Sequence, residues 1–156
     1  MVSKACAKDL MRREVIVVRN DSTLKEVWDV FSTNRISGAP VVNEEGKLVG
    51  VISQHDLSRK FFGTGSVEPE RSSFYYELPS LSDSFIPTGD NLRALFATRV
   101  AEVMNPYVIT VSPSDSLGSV ARAMRSHHIH RVIVAEGSKI CGILTALDLL
   151  SLIEQQ

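Results

Sequence analysis

The sequence predicts an α+β fold in which two β-α-β-β-α units pack as a pseudo-two-fold pair. Three observations support this prediction. The chain contains an internal repeat, each copy alternates short β-branched runs with amphipathic helical stretches, and each copy ends in the same short signature. With 156 residues, the chain is long enough for one compact domain or for two small halves that share a core.

The two copies of the repeat are residues 8–57 and residues 101–149. Each copy begins with a short turn that ends in methionine, Met11 or Met104, which sets an offset of 93 residues. The offset falls to 92 at Gly50 and Gly142, so the second copy has one residue fewer in the turn that corresponds to the turn after Val42. A single slip at a predicted turn is what two copies of one structural unit should show.

Each copy has the same order of predicted elements. The run Val15–Val18 predicts a first strand, and Asp21-Ser22 and Ser114-Asp115 are candidate helix N-caps. Apolar residues at i, i+3, i+4 and i+7 then predict a helix in each copy. The predicted hairpins and their turns are Ala39–Val42 and Leu48–Ile52 around Asn43–Gly46, and Arg131–Val134 and Ile140–Leu144 around Glu136–Ser138. A second helix closes each unit.

The predicted domains are residues 8–61, a linker or insert at 62–98, and residues 99–156. The insert is rich in Ser, Gly and Pro and contains Phe74-Tyr75-Tyr76. A surface linker is the favoured interpretation, and a lid or partner-docking loop is the alternative, because aromatic side chains are costly to leave in water. The run Asp90–Arg99 predicts a helix with Asp90 as its cap.

The composition argues against several classes of function. The formal net charge is −1, so no basic surface for nucleic acid or for an anionic membrane is predicted. No apolar run approaches the length of a membrane span, and no secretion signal follows Met1. The two cysteines, Cys6 and Cys141, do not suggest a disulfide framework. We therefore expect a cytoplasmic protein.

The repeated signature is Gly-apolar-apolar-Ser/Thr-x-x-Asp, at Gly50–Asp56 and Gly142–Asp148. The plain interpretation is a capping box, in which hydroxyl and acid only stabilise a helix start. The functional interpretation is that the carboxylate also accepts hydrogen bonds from a ribose diol, while the helix N-terminus faces a phosphate. The spacing alone is compatible with both.

Together with the stretch Arg35–Val42, the paired signature resembles tandem CBS (cystathionine-β-synthase) motifs arranged as a Bateman module. The resemblance covers nearly the whole chain except the insert. It implies a cleft between two motifs with up to two adenosine-ligand sites, for AMP, ADP, ATP or S-adenosylmethionine. It also implies a homodimer that regulates an attached or partner protein.

Carried over by this resemblance, the second site has Asp148 on the ribose, Thr145 on ribose or phosphate, and His130 and Arg131 on phosphate. The stretch Ile129–Val132 is similar to the His-Arg phosphate contacts of the gamma subunit of AMP-activated kinase. In the first site, Asp56 and Ser53 match, but Gly38 stands where the second copy has Arg131. This departure removes one phosphate contact, for which His55 is a candidate replacement. The remaining predicted nucleotide-binding residues are Ile129, Val108 and Ile109 in the second site, and Ile36, Ser37, Gly38, Val15 and Ile16 in the first.

Other chemistries are less well supported. His127, His128 and His130 lie close together, but no nearby acid or cysteine completes a metal-ligand set, so no metal site is predicted. His127 and His128 are instead expected at a helix C-terminus, where they favour the helix dipole. No nucleophile elbow or P-loop is present, so the chain is not expected to be an enzyme.

The prediction is therefore a regulatory module that senses an adenosine ligand and requires no cofactor. The alternative is a ligand-free CBS pair that serves dimerisation or protein interaction. Degenerate sites would favour that alternative, whereas Asp56 and Asp148 are both intact.

Overall fold

The computed structural model of the chain describes residues 4–62, 73–75 and 92–154. The described residues form six helices and six strands, with single turns of 3-10 helix at Ser73–Tyr75 and Val100–Glu102. The elements in chain order are α1 (Ala7–Leu10), β1 (Val18–Arg19), α2 (Leu24–Asn34), β2 (Gly38–Val42), β3 (Leu48–Ser53), α3 (Gln54–Phe62), α4 (Leu92–Ala97), β4 (Thr110–Val111), α5 (Leu117–His127), β5 (Arg131–Glu136), β6 (Lys139–Thr145) and α6 (Ala146–Glu154).

The strands form two equivalent three-stranded sheets, in the orders β1-β2-β3 and β4-β5-β6. In each sheet the first strand is parallel to the middle strand, which pairs antiparallel with the third. Both middle strands are almost entirely buried, as near-continuous apolar runs predict. The predicted α+β class and the repeated β-α-β-β-α order are thus confirmed.

The described contacts divide the chain into two compact units, and the division does not follow the repeat. One unit, here the Asp148 unit, contains the chain up to Val15 and from Ile109 onward. The other, the Asp56 unit, is Ile16–Val108. Each unit therefore takes the sheet and helices of one repeat together with the segment that begins the other repeat. We call these segments, residues 6–12 and 99–105, the lead-in segments.

Backbone hydrogen bonds attach the first lead-in segment to the Asp148 unit. The Ala7 amide donates to the Asp115 carbonyl at 2.8 Å. Arg12 and Ile143 exchange two bonds, at 2.8 and 2.9 Å. These bonds satisfy backbone groups that would otherwise cost free energy on burial.

The second lead-in segment makes the equivalent bonds in the Asp56 unit. The Val100 amide donates to the Ser22 carbonyl at 2.9 Å, and Asn105 exchanges bonds with Val51 at 2.8 and 2.9 Å. The two lead-in segments are thus exchanged between the repeats with matching registers.

The amphipathic helices α2 and α5 bury the predicted apolar stripe, but their N-caps differ from the prediction. The caps are Thr23 and Ser116, whose hydroxyls accept the amides of the third helical residues. The predicted caps Asp21-Ser22 and Ser114-Asp115 are therefore wrong by one or two residues. Asp21 instead forms an ion pair with Arg19 at 2.7 Å.

The first strand is shorter than predicted. Only Val18 and Arg19 pair with β2, so residues 15–17 of the predicted strand Val15–Val18 are not part of the sheet. The reason is topological: the chain passes from one unit to the other between Val15 and Ile16. The hairpin strands and turns lie within two residues of the predicted positions.

The structure describes residues 62, 73–75 and 92–98 of the insert 62–98, and the rest of it, including Asp90 and Tyr76, lies outside the described residues. The predicted helix is present as α4. Phe74 and Tyr75 are buried and contact strands β2 and β3, so they do not behave as part of a surface linker.

Among the described helices, none has the length and apolarity needed to cross a bilayer.

Candidate functional site

The second signature forms a capping box at the start of α6. The Asp148 Oδ2 atom accepts two hydrogen bonds from Thr145, one from its amide and one from its hydroxyl, both at 2.9 Å. In return, the Thr145 hydroxyl accepts the Asp148 amide at 3.2 Å. These reciprocal bonds form the capping box that the plain interpretation of the signature predicts. They use only the Oδ2 atom of Asp148, so its Oδ1 atom is available to another partner.

That partner is Arg12. Its Nη2 and Nε atoms donate to Asp148 Oδ1 at 2.9 and 3.3 Å. The Arg12 side chain is 70% exposed, and that of Asp148 is 14% exposed. The sequence analysis did not find Arg12, because the exchange that brings residue 12 beside residue 148 is a tertiary feature. The only local signal was its place directly after Met11, equivalent to Asn105 in the other copy.

The pKa of Asp148 is held below its ordinary value. Partial burial opposes ionisation, but the hydrogen bonds from Thr145 and the charge of Arg12 outweigh it. The carboxylate is thus ionised at neutral pH and keeps its acceptor oxygens.

The backbones of His130 and Arg131 lie across the hairpin from the end of the second signature. Arg131 pairs directly with Thr145 in the β5–β6 ladder, and the Ala146 amide donates to the His130 carbonyl at 2.8 Å. His130 is exposed and Arg131 is half-buried. The Asp148 unit therefore contains Arg12, His130, Arg131, Thr145 and Asp148, of which Arg12 and Thr145 bond directly to Asp148.

The first signature forms the same box with a different partner. Asp56 Oδ2 accepts the Ser53 amide at 2.8 Å and the Ser53 hydroxyl at 2.9 Å. Its Oδ1 accepts from Arg59, one turn along the same helix. Arg59 was also missed by the sequence analysis, although its i, i+3 spacing from Asp56 is a signal that could have found it.

The two carboxylates differ most in burial. Asp56 is 2% exposed and Ser53 is 1% exposed. Burial raises the pKa of Asp56 above its ordinary value, although the Ser53 hydrogen bonds and the Arg59 charge act in the opposite direction. The same sequence motif thus yields an accessible carboxylate in one unit and a buried one in the other.

The remaining predicted residues of the first site are divided between the two units. Ile36, Ser37 and Gly38 lie in the Asp56 unit, where the Gln54 amide donates to the Ser37 carbonyl at 2.9 Å and Gly38 pairs with Ser53. His55 is half-buried on the same helix start. Val15 belongs to the Asp148 unit, whereas Ile16 belongs to the Asp56 unit.

The predicted adenine-binding residues of the second site divide in the same way. Ile109 is buried in the Asp148 unit, together with Ile129. Val108 is half-buried and belongs to the Asp56 unit. The roles of these three apolar residues remain predictions.

The histidine cluster marks the end of α5. His127 is the last helical residue, and His128 is a C-cap in the left-handed conformation, with φ of 52°. This confirms the expected place of both at a helix C-terminus. Across residues 4–62, 73–75 and 92–154, no three His, Cys, Asp or Glu side chains come together as metal ligands would.

An open apolar groove of about 1130 Å³ lies between α5 and α6 in the Asp148 unit. His130 lines one part of it, but Thr145 and Asp148 do not. The groove is therefore a separate feature from the polar cluster, and its lining is mostly apolar, including Leu117, Met124, Leu149, Leu150 and Ile153.

Comparisons with known proteins agree with this geometry. The chain is 32% identical over 154 residues to an uncharacterised protein of Methanocaldococcus jannaschii, covering 92% of this chain and 88% of that protein. The crystal structure of the CBS domain of a membrane protein from Sphaerobacter thermophilus matches with a TM-score of 0.70 and 30% identity, covering 97% and 89% of the two chains.

The crystal structure of CBSX2 from Arabidopsis thaliana, in complex with AMP, matches with a TM-score of 0.67 and 22% identity, over 97% of each chain. At that identity the likeness concerns the fold. The sequence model of the CBS domain matches residues 7–63 and residues 100–155. Two matched segments, two equivalent sheets and two signature boxes lead to one conclusion: this chain belongs to the CBS domain family and carries a tandem CBS pair.

Proposed function

We propose that the chain is a regulatory module, not an enzyme, and that it binds an adenosine ligand at the Asp148 unit. The ligands considered are AMP, ADP, ATP and S-adenosylmethionine. The observation that carries the proposal is the arrangement of Asp148, whose Oδ2 is fixed by Thr145 while Oδ1 faces the exposed Arg12.

The Oδ1 atom of Asp148 is suited to a ribose diol. Its present partner, Arg12, has a side chain that is 70% exposed, so solvent screens the ion pair and weakens it. A sugar hydroxyl can therefore replace or share that hydrogen bond at small cost. Since the pKa of Asp148 is lowered, the carboxylate is ionised at neutral pH and can accept hydrogen bonds from the hydroxyl groups.

The same neighbourhood is suited to phosphate. Arg12 bonds to Asp148 in the first turn of α6, and the backbones of His130 and Arg131 lie next to the start of that helix, whose dipole also favours an anion. A guanidinium released from Asp148 by the ribose would be close to a phosphate on the same nucleotide. On this basis AMP, ADP and ATP are favoured over the cationic S-adenosylmethionine.

The relatives support a ligand-binding role. CBSX2 is similar to this chain over 97% of its length, and its crystal structure contains AMP. Ligand binding at a regulatory pair acts by favouring one arrangement of the protein that a partner then recognises. The proposed partner is a protein that this module regulates, as the family resemblance implies.

The test is calorimetric titration of the purified chain with each of the four ligands, beside the Asp148→Asn variant. We expect micromolar to millimolar binding of at least one ligand, reduced by roughly tenfold or more in Asp148→Asn, because a hydrogen bond to a charged group contributes about 1.5–3 kcal/mol. Asp29→Asn is the control, since Asp29 is an exposed carboxylate paired only with Lys25 in the described structure. Folded protein that binds none of the four ligands would overturn the proposal.

A second comparison isolates the phosphate. Arg12→Gln is expected to weaken AMP binding by roughly tenfold and to leave adenosine binding nearly unchanged, since only AMP carries the phosphate. Arg13→Gln is the matched control, because Arg13 is the adjacent exposed arginine and donates to the Lys8 carbonyl instead. Equal losses for AMP and adenosine would contradict the assignment of Arg12 to phosphate.

The alternative function is a ligand-free dimerisation or interaction module. One observation favours it, namely the exposed apolar side chains of α6 beside the groove between α5 and α6. Failure of all four titrations, together with a stable dimer, would make this alternative the better account.

A further inference from the structure

The two hairpins that carry the signatures pair in matching register, and one of the differences between their side chains bears on ligand binding. The Arg131–Thr145 pair of the Asp148 unit corresponds to the Gly38–Ser53 pair of the Asp56 unit. Arg131 therefore has a side chain at a place where Gly38 has none. The proposed function assigns this position to phosphate contact, so what occupies it in the Asp56 unit decides whether a ligand can bind there.

The occupant in the Asp56 unit is Phe74 of the insert. A Cβ atom built on Gly38 would lie 3.1 Å from Phe74 Cδ2 and 3.1 Å from the Ile52 carbonyl oxygen. The ring is 1% exposed, as is that of Tyr75, and the two rings pack edge to face at 5.0 Å. The turn Ser73–Tyr75 contacts both strands of the hairpin that carries the first signature.

The carboxylate of that site has all its partners within the unit. Asp56 Oδ2 accepts from Ser53 and Oδ1 from Arg59, and the side chain of Asp56 is 1% exposed. A ribose would have to displace Arg59, whose side chain is 30% exposed, from a buried carboxylate, and burial makes breaking such a pair more costly. In the Asp148 unit the equivalent partner, Arg12, is 70% exposed.

We propose that Phe74 fills the first nucleotide site and so limits the chain to one adenosine ligand, bound at Asp148. This inference rests on the proposed function and specifies its stoichiometry. Gly38 is the residue that makes the closure possible, because any side chain at this position would meet Phe74 or the backbone at Ile52.

The test is the number of AMP molecules bound per chain, measured by calorimetry on the full chain and by equilibrium dialysis. The wild-type chain is expected to bind one AMP, and Asp148→Asn to weaken that binding by roughly tenfold or more. Phe74→Ala is expected to bind a second AMP, and the double variant Phe74→Ala, Asp56→Asn to return to one. Phe96→Ala is the matched control, since it removes an aromatic ring that packs on Phe61 at 5.6 Å instead; it is expected to bind one AMP.

Several outcomes would overturn the inference. Two AMP molecules per wild-type chain would do so without harming the proposed function. One AMP that binds to Asp148→Asn with wild-type affinity would overturn both this inference and the placement of the proposed ligand at the Asp148 unit. A folded Phe74→Ala chain that still binds one AMP would show that Phe74 is not the cause. If Phe74→Ala does not fold, the wild-type and Asp148→Asn titrations still decide the stoichiometry. Phe74→Leu is then used in place of Phe74→Ala to open the first site. By contrast, a wild-type chain that binds none of the four ligands would overturn the proposed function itself.

Discussion

Asp56 and Asp148 occupy the same place in the same motif, and their surroundings shift their pKa values in opposite directions. Burial dominates at Asp56 and raises its pKa, whereas hydrogen bonds from Thr145 and the Arg12 charge dominate at Asp148 and lower its pKa. A pKa shift on folding makes stability depend on pH. The two residues should therefore leave opposite signatures in the pH dependence of unfolding.

We expect the stability contribution of Asp148 to be fully present above its unfolded pKa of about 3.9, and to be lost as the pH falls through its lower folded pKa. The contribution of Asp56 should instead be largest at low pH and decline as the pH rises from the unfolded pKa through the raised folded pKa. The measurement is the free energy of unfolding in urea from about pH 3 to pH 7 for the wild type, Asp56→Asn and Asp148→Asn.

The difference between wild type and Asp148→Asn should grow with pH, and the difference for Asp56→Asn should move the other way. Asp29→Asn serves to subtract the general effect of removing one surface carboxylate. Slopes of the same sign for Asp56→Asn and Asp148→Asn would show that burial does not dominate at Asp56.

At the scale of elements, both signatures begin with a glycine, Gly50 or Gly142, and close packing explains why. A Cβ atom on Gly142 would lie 2.7 Å from the Arg12 carbonyl oxygen and 2.7 Å from Met11 Sδ. On Gly50 it would lie 2.8 Å from the Asn105 carbonyl oxygen and 2.9 Å from Met104 Sδ. In each unit the glycine lets a lead-in segment approach the sheet closely.

Gly142→Ala and Gly50→Ala are each expected to destabilise the protein by about 1–3 kcal/mol, because the backbone of the lead-in segment must shift. Gly118→Ala is the matched control, since a Cβ there meets nothing within 4 Å and the residue lies in α5. It should stabilise by about 0.5–1 kcal/mol, as alanine does in a helix. Denaturant unfolding checks all three values.

AMP binding is expected to differ between the two destabilised variants, Gly142→Ala and Gly50→Ala. Gly142→Ala moves the backbone of Arg12 and should weaken AMP binding, whereas Gly50→Ala acts in the Asp56 unit and should not. If both variants bind AMP as the wild type does, Arg12 does not need the placement that its lead-in segment gives it.

The elements themselves were largely predictable from sequence. Apolar periodicity placed α2 and α5, and turn residues placed both hairpins, because these signals depend on neighbouring residues. The cap at Thr23 was missed because Asp21 and Ser22 are equally good capping residues, and Asp21 is used by Arg19 instead. The first strand was predicted too early because residues 15–17 have β-branched side chains but no strand to pair with.

At the scale of the whole molecule, the site was predictable only where the motif is local. Thr145, Asp148, Ser53 and Asp56 followed from the repeat. Arg12 did not, since it is 136 residues from Asp148 in the chain. The burial of Phe74 over Gly38 was likewise beyond the reach of periodicity, because neither residue belongs to a repeated pattern that includes the other.

The α6 helix presents an apolar stripe of Leu147, Leu150 and Ile153, which are 60%, 54% and 69% exposed. Exposed apolar patches of this kind mark interaction surfaces, and a single face can pair with its own copy about a two-fold axis. We therefore expect a homodimer that buries this stripe against a second copy of the chain.

The triple variant Leu147→Ser, Leu150→Ser, Ile153→Ser should shift a dimer to a monomer in analytical ultracentrifugation, because it removes most of the apolar area from that surface. Val17→Ser, Tyr107→Ser is the control, since both residues are about 40% exposed in the Asp56 unit. A dimer that survives the triple variant would place the interface elsewhere.

The exchange of lead-in segments also bears on the order of events in folding. The Asp56 unit is contiguous in sequence, from Ile16 to Val108, whereas the Asp148 unit joins the two ends of the chain. Closing a longer loop costs more conformational entropy and slows the formation of contacts. During synthesis the Asp56 unit can assemble while the rest of the chain is still being made. Arg12 must wait for α6, so the carboxylate proposed to hold the ligand acquires its partner last.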